Sequence, residues 1–188
     1  MQVYPNRFEQ HVQQQGLSPF ILIFGDEPQQ KLDMIDCVRA AVRTQGFEER
    51  QTLVADTDFS WSQLIDATQT MSLFSDKQYI ELTLPTGKPG AEGSKVLTAI
   101  SENPSPDTII LIQGPKIGKD VQKAKWFKAL DSKGMFSHCY PLEGKQLQQW
   151  VQQRCREQQV NVTPAGMAMI CDFSEGNLLA AKQEIEKL

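Results

Sequence analysis

The sequence predicts an α/β fold in which a parallel sheet is flanked by helices and followed by a small all-α unit of three helices. Three observations predict it. Short apolar, β-branched runs recur as far as residue 140, segments with helical spacing lie between them, and no further strand-like run follows Pro141. Because strands that alternate with helices are typical of βαβ units, the first part is predicted to form one parallel sheet.

The predicted strands are the runs at 20–24, 51–55, 78–84, 108–112 and 134–140. The runs at 20–24 and 108–112 are apolar throughout, which is typical of strands covered on both faces, so we expect them inside the sheet. Segments rich in Gly and Pro at 84–95 and 102–107 predict loops between strands and helices.

After the first strand, one apolar helix face is predicted from residues at helical spacing: Leu32, Ile35, Val38 and Val42. After Pro141 the predicted helices cover 143–158, 163–172 and 175–188, and Thr163 and Pro164 are predicted to be the N-cap and first residue of the second. This change of pattern predicts two domains, at 1–141 and 142–188. The last helix reaches the chain end without Gly, Pro or a polar cap, which predicts a longer protein.

Composition bounds the functions that this chain can have. It has 188 residues and a net charge of −4, so the whole-molecule charge does not indicate nucleic-acid binding, and any DNA contact would be local. No apolar run approaches the roughly 20 residues that span a bilayer, and no signal pattern opens the sequence, so a cytoplasmic protein is predicted. The cysteines and histidines lack zinc-site spacing and predict reduced, mostly buried thiols and no metal: Cys37, Cys139, Cys155, Cys171, His11 and His138.

The first strand leads into the frame of a phosphate-binding loop, because Lys31 follows Gly25 by six residues. The motif G-x-x-x-x-G-K-[ST] needs its second glycine for close backbone approach, its lysine to neutralise phosphate and its hydroxyl to bind Mg²⁺. Here Gln30 stands at the second glycine and Leu32 at the hydroxyl position. Gly25, Gln30, Lys31 and Leu32 therefore predict a degenerate phosphate loop.

Three further features argue against a nucleotide. Pro28 removes a backbone N–H donor, and Asp26 and Glu27 add negative charge where a triphosphate would lie. The run at 108–112, which should lead into Mg²⁺-binding acids, is followed by Gln113. The simpler interpretation is a strand-to-helix turn with an acidic residue near the helix N-terminus.

A cluster of large apolar residues, Met71, Leu73 and Phe74, follows a stretch in which Trp61, Leu64, Ile65 and Thr68 keep helical spacing and are predicted to face inward. The cluster can be buried locally or can project towards a partner. From the residues alone, local burial is favoured, since an exposed apolar patch lowers solubility.

A second segment concentrates positive charge, in Lys116, Lys119, Lys123, Lys125 and Lys128. It can contact DNA, or it can be a solvated helix face whose Trp126, Phe127 and Leu130 point inward. The solvated face is favoured because surface lysines are common and no aromatic residues are interleaved for stacking on a single strand.

A strand, a degenerate phosphate loop, a strand without an acidic end and a three-helix unit are the layout of an AAA+ module without ATPase residues. At this point the sequence resembles, over all its residues, the delta subunit of the bacterial DNA polymerase III clamp loader. The resemblance lies in five segments: GDEP at 25–28, QGFEER at 45–50, QTMSLFSDKQ at 69–78, WFKAL at 126–130 and EGNLLA at 175–180.

The resemblance implies an AAA+-like domain without a functional ATP site at 1–141, a helical lid at 142–188, and a third, collar domain that this sequence does not contain. It also implies a second lost ATP contact, because Leu178 and Leu179 stand where an active lid carries an arginine for the γ-phosphate. We expect both leucines in the lid core.

In the delta family, the segment at 69–74 is a wedge that binds the ring-shaped sliding clamp, the beta subunit. The Leu-Phe pair enters an apolar pocket on the clamp, and neighbouring contacts open one interface of the ring. The clamp-binding residues implied here are Gln69, Met71, Ser72, Leu73 and Phe74. This segment also looks like the short clamp-binding peptide Gln-Leu-Ser-Leu-Phe with one residue inserted after Gln.

The implied partners are the sliding clamp, ATP-binding motor subunits and a delta-prime subunit in a pentameric loader, with DNA reached through the complex. No cofactor, no membrane and no polymerase chemistry of its own are implied, although the complex belongs to the DNA polymerase III holoenzyme, a DNA-directed DNA polymerase and nucleotidyltransferase. The alternative is a nucleotide-hydrolysing P-loop enzyme, which Gln30, Leu32 and Gln113 do not fit.

Overall fold

The computed structural model describes residues 1–69, 77–174 and 176–188. Its strands are β1 (Phe20–Gly25), β2 (Glu49–Val54), β3 (Gln78–Thr83), β4 (Thr108–Gly114) and β5 (Met135–Cys139). Its α-helices are α1 (Phe8–Gln15), α2 (Pro28–Thr44), α3 (Ser62–Gln69), α4 (Gly90–Glu102), α5 (Lys119–Lys123), α6 (Lys125–Lys133), α7 (Gly144–Glu157), α8 (Pro164–Ser174) and α9 (Leu178–Glu186). All five predicted strands are present, each within a few residues of its predicted bounds.

The chain divides into two compact units. The first contains Met1–Gly25 and Lys31–Cys139, and the second contains Asp26–Gln30 and Tyr140–Leu188. The main change of unit thus falls two residues before the domain boundary predicted at 141/142. The short segment Asp26–Gln30 in the second unit was not predicted.

The first unit is built on a parallel sheet with strand order β2-β3-β4-β1-β5. Phe20 of β1 is paired with Ile110 of β4, and Ile21 with Met135 of β5. The two runs that are apolar throughout, β1 and β4, both lie inside the sheet, which confirms their predicted place. Every residue of β1 is buried, as a strand covered on both faces requires.

Alternate residues of β1 enter two hydrophobic clusters, one on each face of the sheet. Phe20, Leu22 and Phe24 pack with residues of α3, α4, α5 and α6. Ile21 and Ile23 pack with residues of α1 and α2. The strand period of two therefore distributes this one apolar run between two helical layers.

The apolar face of α2 differs from the prediction at one residue. Ile35, Val38 and Val42 are buried, but Leu32 is 43% exposed. Met34 is buried instead. Because successive helical residues are rotated by about 100°, Leu32 lies about 100° around the helix axis from the centre of the buried face that Met34, Ile35, Val38 and Val42 form. The prediction that Leu32 belongs to this face is wrong.

The loop predicted at 84–95 is also partly wrong, because α4 begins at Gly90. Gly93 lies inside this helix, and a Cβ on it would come within 2.2 Å of the Trp61 indole. The glycine at this position permits close packing between a helix and an aromatic ring rather than a flexible turn. The loop predicted at 102–107 is confirmed from Asn103 onward.

The second unit contains α7, α8 and α9, which correspond to the three predicted helices. Thr163 accepts a hydrogen bond through Oγ1 from the Gly166 backbone N–H at 3.1 Å, so the predicted N-cap is confirmed. Leu178 is buried in the core of this unit, whereas Leu179 is 50% exposed. Neighbouring helical residues point 100° apart, so the expectation that both leucines pack inward is wrong for Leu179.

The thiols are free, as predicted: Cys139, Cys155 and Cys171 are buried and Cys37 is partly buried. Burial raises the pKa of Cys37 to about 11, and the Glu9 carboxylate adds to this shift. This thiol is therefore protonated at neutral pH. Among the residues that the structure describes, no helix is long and apolar enough to cross a membrane.

Candidate functional site

The turn after β1 passes very close to the end of β5. Gly25 has a φ of 146°, and a Cβ added to it would come within 1.9 Å of the Cys139 carbonyl oxygen. A side chain at this position would require the two strand ends to separate. The packing of neighbouring strands therefore explains Gly25 without a bound phosphate.

Lys31, the one residue of the phosphate-binding motif that remains besides Gly25, is bonded to the sheet. Its ammonium Nζ donates a hydrogen bond to the carbonyl oxygen of Gly114 at 2.8 Å, and the side chain is partly buried. Gly114 is the last residue of β4, so this bond ties the start of α2 to the carboxyl end of that strand. One of the three donors of the ammonium is thus already used within the first unit.

The first residues of α2, as far as Gln30, belong to the second unit, and the side chain of Glu27 caps this end of the helix. Glu27 is 6% exposed, and its Oε2 accepts a hydrogen bond from the backbone N–H of Gln30 at 2.5 Å. Backbone N–H groups at a helix N-terminus are the donors that bind phosphates in other proteins. Here one of these donors bonds to a carboxylate, which confirms the predicted acidic residue at this helix start.

Gln30 is also held by its side chain. It is 4% exposed, and its Nε2 donates a hydrogen bond to the Tyr140 carbonyl oxygen at 3.0 Å. Leu32 offers an exposed hydrocarbon side chain where the motif has a hydroxyl, and Gln113 stands near the end of β4. Of the four predicted loop residues, Gly25, Lys31 and Leu32 belong to the first unit and Gln30 to the second.

Of the residues predicted to bind the clamp, Gln69 is the exposed last residue of α3. The other four, Met71, Ser72, Leu73 and Phe74, lie outside the described residues. Trp61 and Leu64 face inward as predicted, and Ile65 and Thr68 are half-buried.

A cavity of about 530 Å³ lies beside the C-terminal end of α3. Its walls include Thr68 and Gln69 of α3, Val96 and Ile100 of α4, and Phe20 of β1. The sequence did not predict this cavity, because it joins residues from three elements far apart in the chain.

The five lysines between 116 and 128 are exposed. Trp126, Phe127 and Leu130 are buried, which confirms their inward orientation. In the described part of the chain, no group of three or more His, Cys, Asp or Glu residues could hold a metal ion.

Two comparisons with known sequences give the same family. Residues 21–140 match the family model described as DNA polymerase III, delta subunit. The chain is 30% identical over its whole length to DNA polymerase III subunit delta of Escherichia coli K12, and 27% identical over 99% of its length to that of Haemophilus influenzae Rd. It spans about half the length of these curated relatives, 54% of each.

The solved structures that resemble this one share its fold at low sequence identity. The DNA clamp loader delta protein of Bacillus subtilis matches with a TM-score of 0.73 and 16% identity, over 97% of this chain and 56% of that one. DnaA from Aquifex aeolicus matches with a TM-score of 0.57 and 10% identity, over 95% of this chain and 58% of that one. The Holliday junction branch migration motor RuvB of Thermotoga maritima matches with a TM-score of 0.53 and 12% identity, over 96% of this chain and 57% of that one.

The fold is therefore that of the clamp loader delta protein and of AAA+ proteins. The family model covers well over half of the residues, from the first strand to the end of the fifth. The chain belongs to the family of the delta subunit of DNA polymerase III.

Proposed function

We propose that this chain is the part of a clamp-loader subunit that binds the sliding clamp and opens its ring for loading on DNA, without hydrolysing ATP. Membership of the delta family supports the assignment to the loader. In this proposal, residues 1–141 are an AAA+-like domain that carries the clamp-binding segment, and residues 142–188 are its lid. The protein works in the cytoplasm with ATP-binding motor subunits and a delta-prime subunit.

The observation that carries the absence of ATP chemistry is the set of internal bonds around the turn after β1. Lys31 bonds to the Gly114 carbonyl oxygen, and Glu27 accepts the backbone N–H of Gln30. In a working phosphate loop the lysine ammonium and the backbone N–H groups would bind the phosphates of the nucleotide. A nucleotide would have to displace both bonds and would gain neither a second glycine nor a Mg²⁺-binding hydroxyl.

The charge of this turn adds to the same conclusion. Asp26 is exposed and Glu27 is buried, and both lie directly before the first residue of α2. Each carboxylate a few Å from a phosphate opposes binding by about 1 kcal/mol or more. The two carboxylates therefore weaken nucleotide binding even where Lys31 is present.

The proposed clamp contact is the segment at 69–74, with Leu73 and Phe74 as its anchors. Two or three fully buried side chains supply roughly 5 kcal/mol before ordering costs. Opening the ring then requires only that the segment binds the strained clamp more tightly than the closed clamp. This difference in affinity, rather than ATP hydrolysis by this chain, shifts the clamp towards its open form.

The rival function is a nucleotide-hydrolysing P-loop enzyme. The rival needs a free phosphate loop and an acidic residue after β4, and the chain has Gln30 and Gln113 at these positions. Family membership also favours the loader over this rival.

Clamp binding is tested by a calorimetric titration of purified clamp with the chain, in the absence of nucleotide. The test variant is Leu73→Ala with Phe74→Ala. The matched control is Met169→Ala with Phe173→Ala, which removes two apolar side chains that are 61% and 80% exposed in the second unit.

We expect the test variant to lose several kcal/mol of clamp affinity and the control variant to keep the affinity of the parent chain. Thermal unfolding of all three chains checks that none has lost its fold. Equal clamp affinity of the test and control variants would refute the assignment of the segment.

A further inference from the structure

The cavity of about 530 Å³ beside α3 lies away from the degenerate phosphate loop. Its floor includes Phe20 and Ile110, which are paired on β1 and β4 and are each 2% exposed. Phe20 is the first residue of β1, whereas Gly25 of the phosphate loop is the last. Because five residues of a strand span about 17 Å, the cavity lies at the opposite end of this strand from the place where a nucleotide would bind.

The walls of the cavity are largely apolar and come from two helices. Ile65 lines it from α3, and Val96, Ala99 and Ile100 line it from α4. Ala99 is exposed, and the other three side chains are only partly buried. Apolar groups that stay accessible in a concave site are typical of sites that bind an apolar group of another molecule. The cavity can therefore accept an apolar side chain.

A single positive charge lies in this lining, among the residues that the structure describes. Lys95 of α4 is exposed there, and within the described ranges no carboxylate forms an ion pair with its ammonium group. The other exposed polar residues of the lining are neutral: Gln69, Asn103 and Ser105. An apolar cavity with one lysine at its mouth is complementary to an apolar side chain that stands beside a carboxylate.

The cavity adjoins the start of the proposed clamp-binding segment. Gln69 lines the cavity and is also the first residue of the segment at 69–74. Phe74 follows Gln69 by five residues, and five residues reach at most about 18 Å. A clamp that binds Leu73 and Phe74 would therefore come close to the mouth of the cavity.

We propose that this cavity is a second contact for the sliding clamp and binds an apolar side chain of the clamp that stands beside a carboxylate. The carboxylate pairs with Lys95, and the apolar side chain packs between α3 and α4. This proposal rests on the proposed function, because it names a further contact with the same partner. Two separate contacts also fix the orientation of the clamp on this chain, whereas a single anchor leaves the clamp free to rotate.

The first test fills the cavity. Ala99→Phe adds a ring at an exposed position of α4 that lines the cavity, where it should cost little stability. Ala91→Phe is the matched control, because Ala91 is also exposed on α4 but lies outside the lining. Calorimetric titration of purified clamp without nucleotide measures the affinity, and thermal unfolding checks the fold of each chain. We expect Ala99→Phe to bind the clamp about tenfold more weakly and Ala91→Phe to bind it like the parent chain.

The second test concerns the charge. Lys95→Glu should weaken clamp binding about fivefold at low salt, and its difference from the parent chain should shrink as the salt concentration rises. Lys145→Glu makes the same change at an exposed lysine of the second unit and should leave the affinity unchanged. A carbodiimide, which joins an amine to a nearby carboxylate, should link Lys95 to an acidic residue of the clamp, as mass spectrometry would show. A complex in which other lysines are linked to the clamp but Lys95 is not would overturn the proposal.

Equal clamp affinity of Ala99→Phe and Ala91→Phe would also overturn it. The variant Leu73→Ala/Phe74→Ala, measured beside them, separates this proposal from the proposed function. If that variant loses affinity and Ala99→Phe does not, only the second contact is refuted, whereas unchanged affinity of that variant refutes the clamp-binding segment itself. Self-association of the chain that Ala99→Phe abolishes, measured by sedimentation, would assign the cavity to a second copy and would equally overturn the proposal.

Discussion

Glu81 is a carboxylate on β3 that is 2% exposed. Because a buried charge is stable only when it is paired, the groups that bond to Glu81 determine what it contributes to stability. Both its oxygens accept hydrogen bonds from the Arg39 guanidinium at 2.8 Å, and Arg50 lies 3.9 Å from Oε1. Burial raises the pKa of Glu81, but the bonds from Arg39 outweigh burial and hold it below its ordinary value. The pair is a fixed, bidentate link between α2 and β3.

We predict that Glu81→Gln lowers the free energy of unfolding by about 2 kcal/mol at neutral pH. A broken buried pair costs about 3–5 kcal/mol, and Arg39 is partly exposed, which reduces the cost. Urea unfolding measures the loss. As a control, Glu184→Gln removes a carboxylate from an exposed pair with Lys187 and should cost about 0.5 kcal/mol or less.

The same carboxylate predicts a pH dependence. Because the pKa of Glu81 is lower in the folded chain than its ordinary value of 4.5, its contribution is fully present above that value. The contribution is lost as the pH falls through the lower, folded pKa. The stability difference between the parent chain and Glu81→Gln should therefore be constant from neutral pH to about 5 and shrink below about 4. A difference that grows as the pH falls would contradict the ion pair.

Gly25 gives a steric prediction at the residue scale. Gly25→Ala places a Cβ 1.9 Å from the Cys139 carbonyl oxygen, so we expect a loss of about 3 kcal/mol or more in unfolding experiments. Gly46→Ala is the matched control, because Gly46 also has a positive φ but no atom within 4 Å of its Cβ position. The control should lose about 1 kcal/mol. Similar losses at both positions would mean that the strand ends can separate easily.

At the scale of elements, the sequence predicted the strands well because the period-two and fully apolar patterns are local. The two apolar runs became the interior strands β1 and β4, and Thr163 caps α8 as expected. At Leu32 and Leu179 the errors arose within a helix, whereas at Gly93 a distant partner decides the outcome. The glycine at 93 predicts a loop, but Gly93 lies in α4 against the indole of Trp61, 32 positions away.

In the candidate site, too, local features could be predicted from the sequence and contacts to distant residues could not. The loss of the phosphate motif is visible in the sequence, since Gln30 and Leu32 replace the residues that the motif needs. The new partners of Lys31 and Gln30, the carbonyl oxygens of Gly114 and Tyr140, could not be predicted. Backbone carbonyl groups are identical in every residue, so only the fold determines which one a side chain reaches.

Thr163 supplies a prediction for the second unit. Thr163→Ala removes the Oγ1 acceptor of the Gly166 N–H and should lower the stability of this unit by about 1 kcal/mol. Thr163→Ser keeps the acceptor and should lose much less. Hydrogen exchange of the first turn of α8 measures the effect locally, and equal protection in both variants would refute the cap.

At the scale of the whole molecule, we predict that the chain binds no nucleotide. Titration with a fluorescent ATP analogue and Mg²⁺ should give no saturable signal, because Lys31 and the Gln30 N–H are already bonded within the chain. Saturable binding at micromolar concentration that Lys31→Ala abolishes would show a working site and favour the rival enzyme.

In the function that we propose, this chain opens the clamp without using ATP, and ring opening can be measured directly. A donor and an acceptor dye are placed on the two sides of one clamp interface, and energy transfer is followed as the chain is added without nucleotide. We predict that transfer falls with the parent chain and with Met169→Ala/Phe173→Ala, that it stays high with Leu73→Ala/Phe74→Ala, and that ATP with Mg²⁺ changes none of these results. Transfer that stays high while the parent chain is bound, or that falls only when ATP is present, would show that this chain does not open the clamp by binding alone.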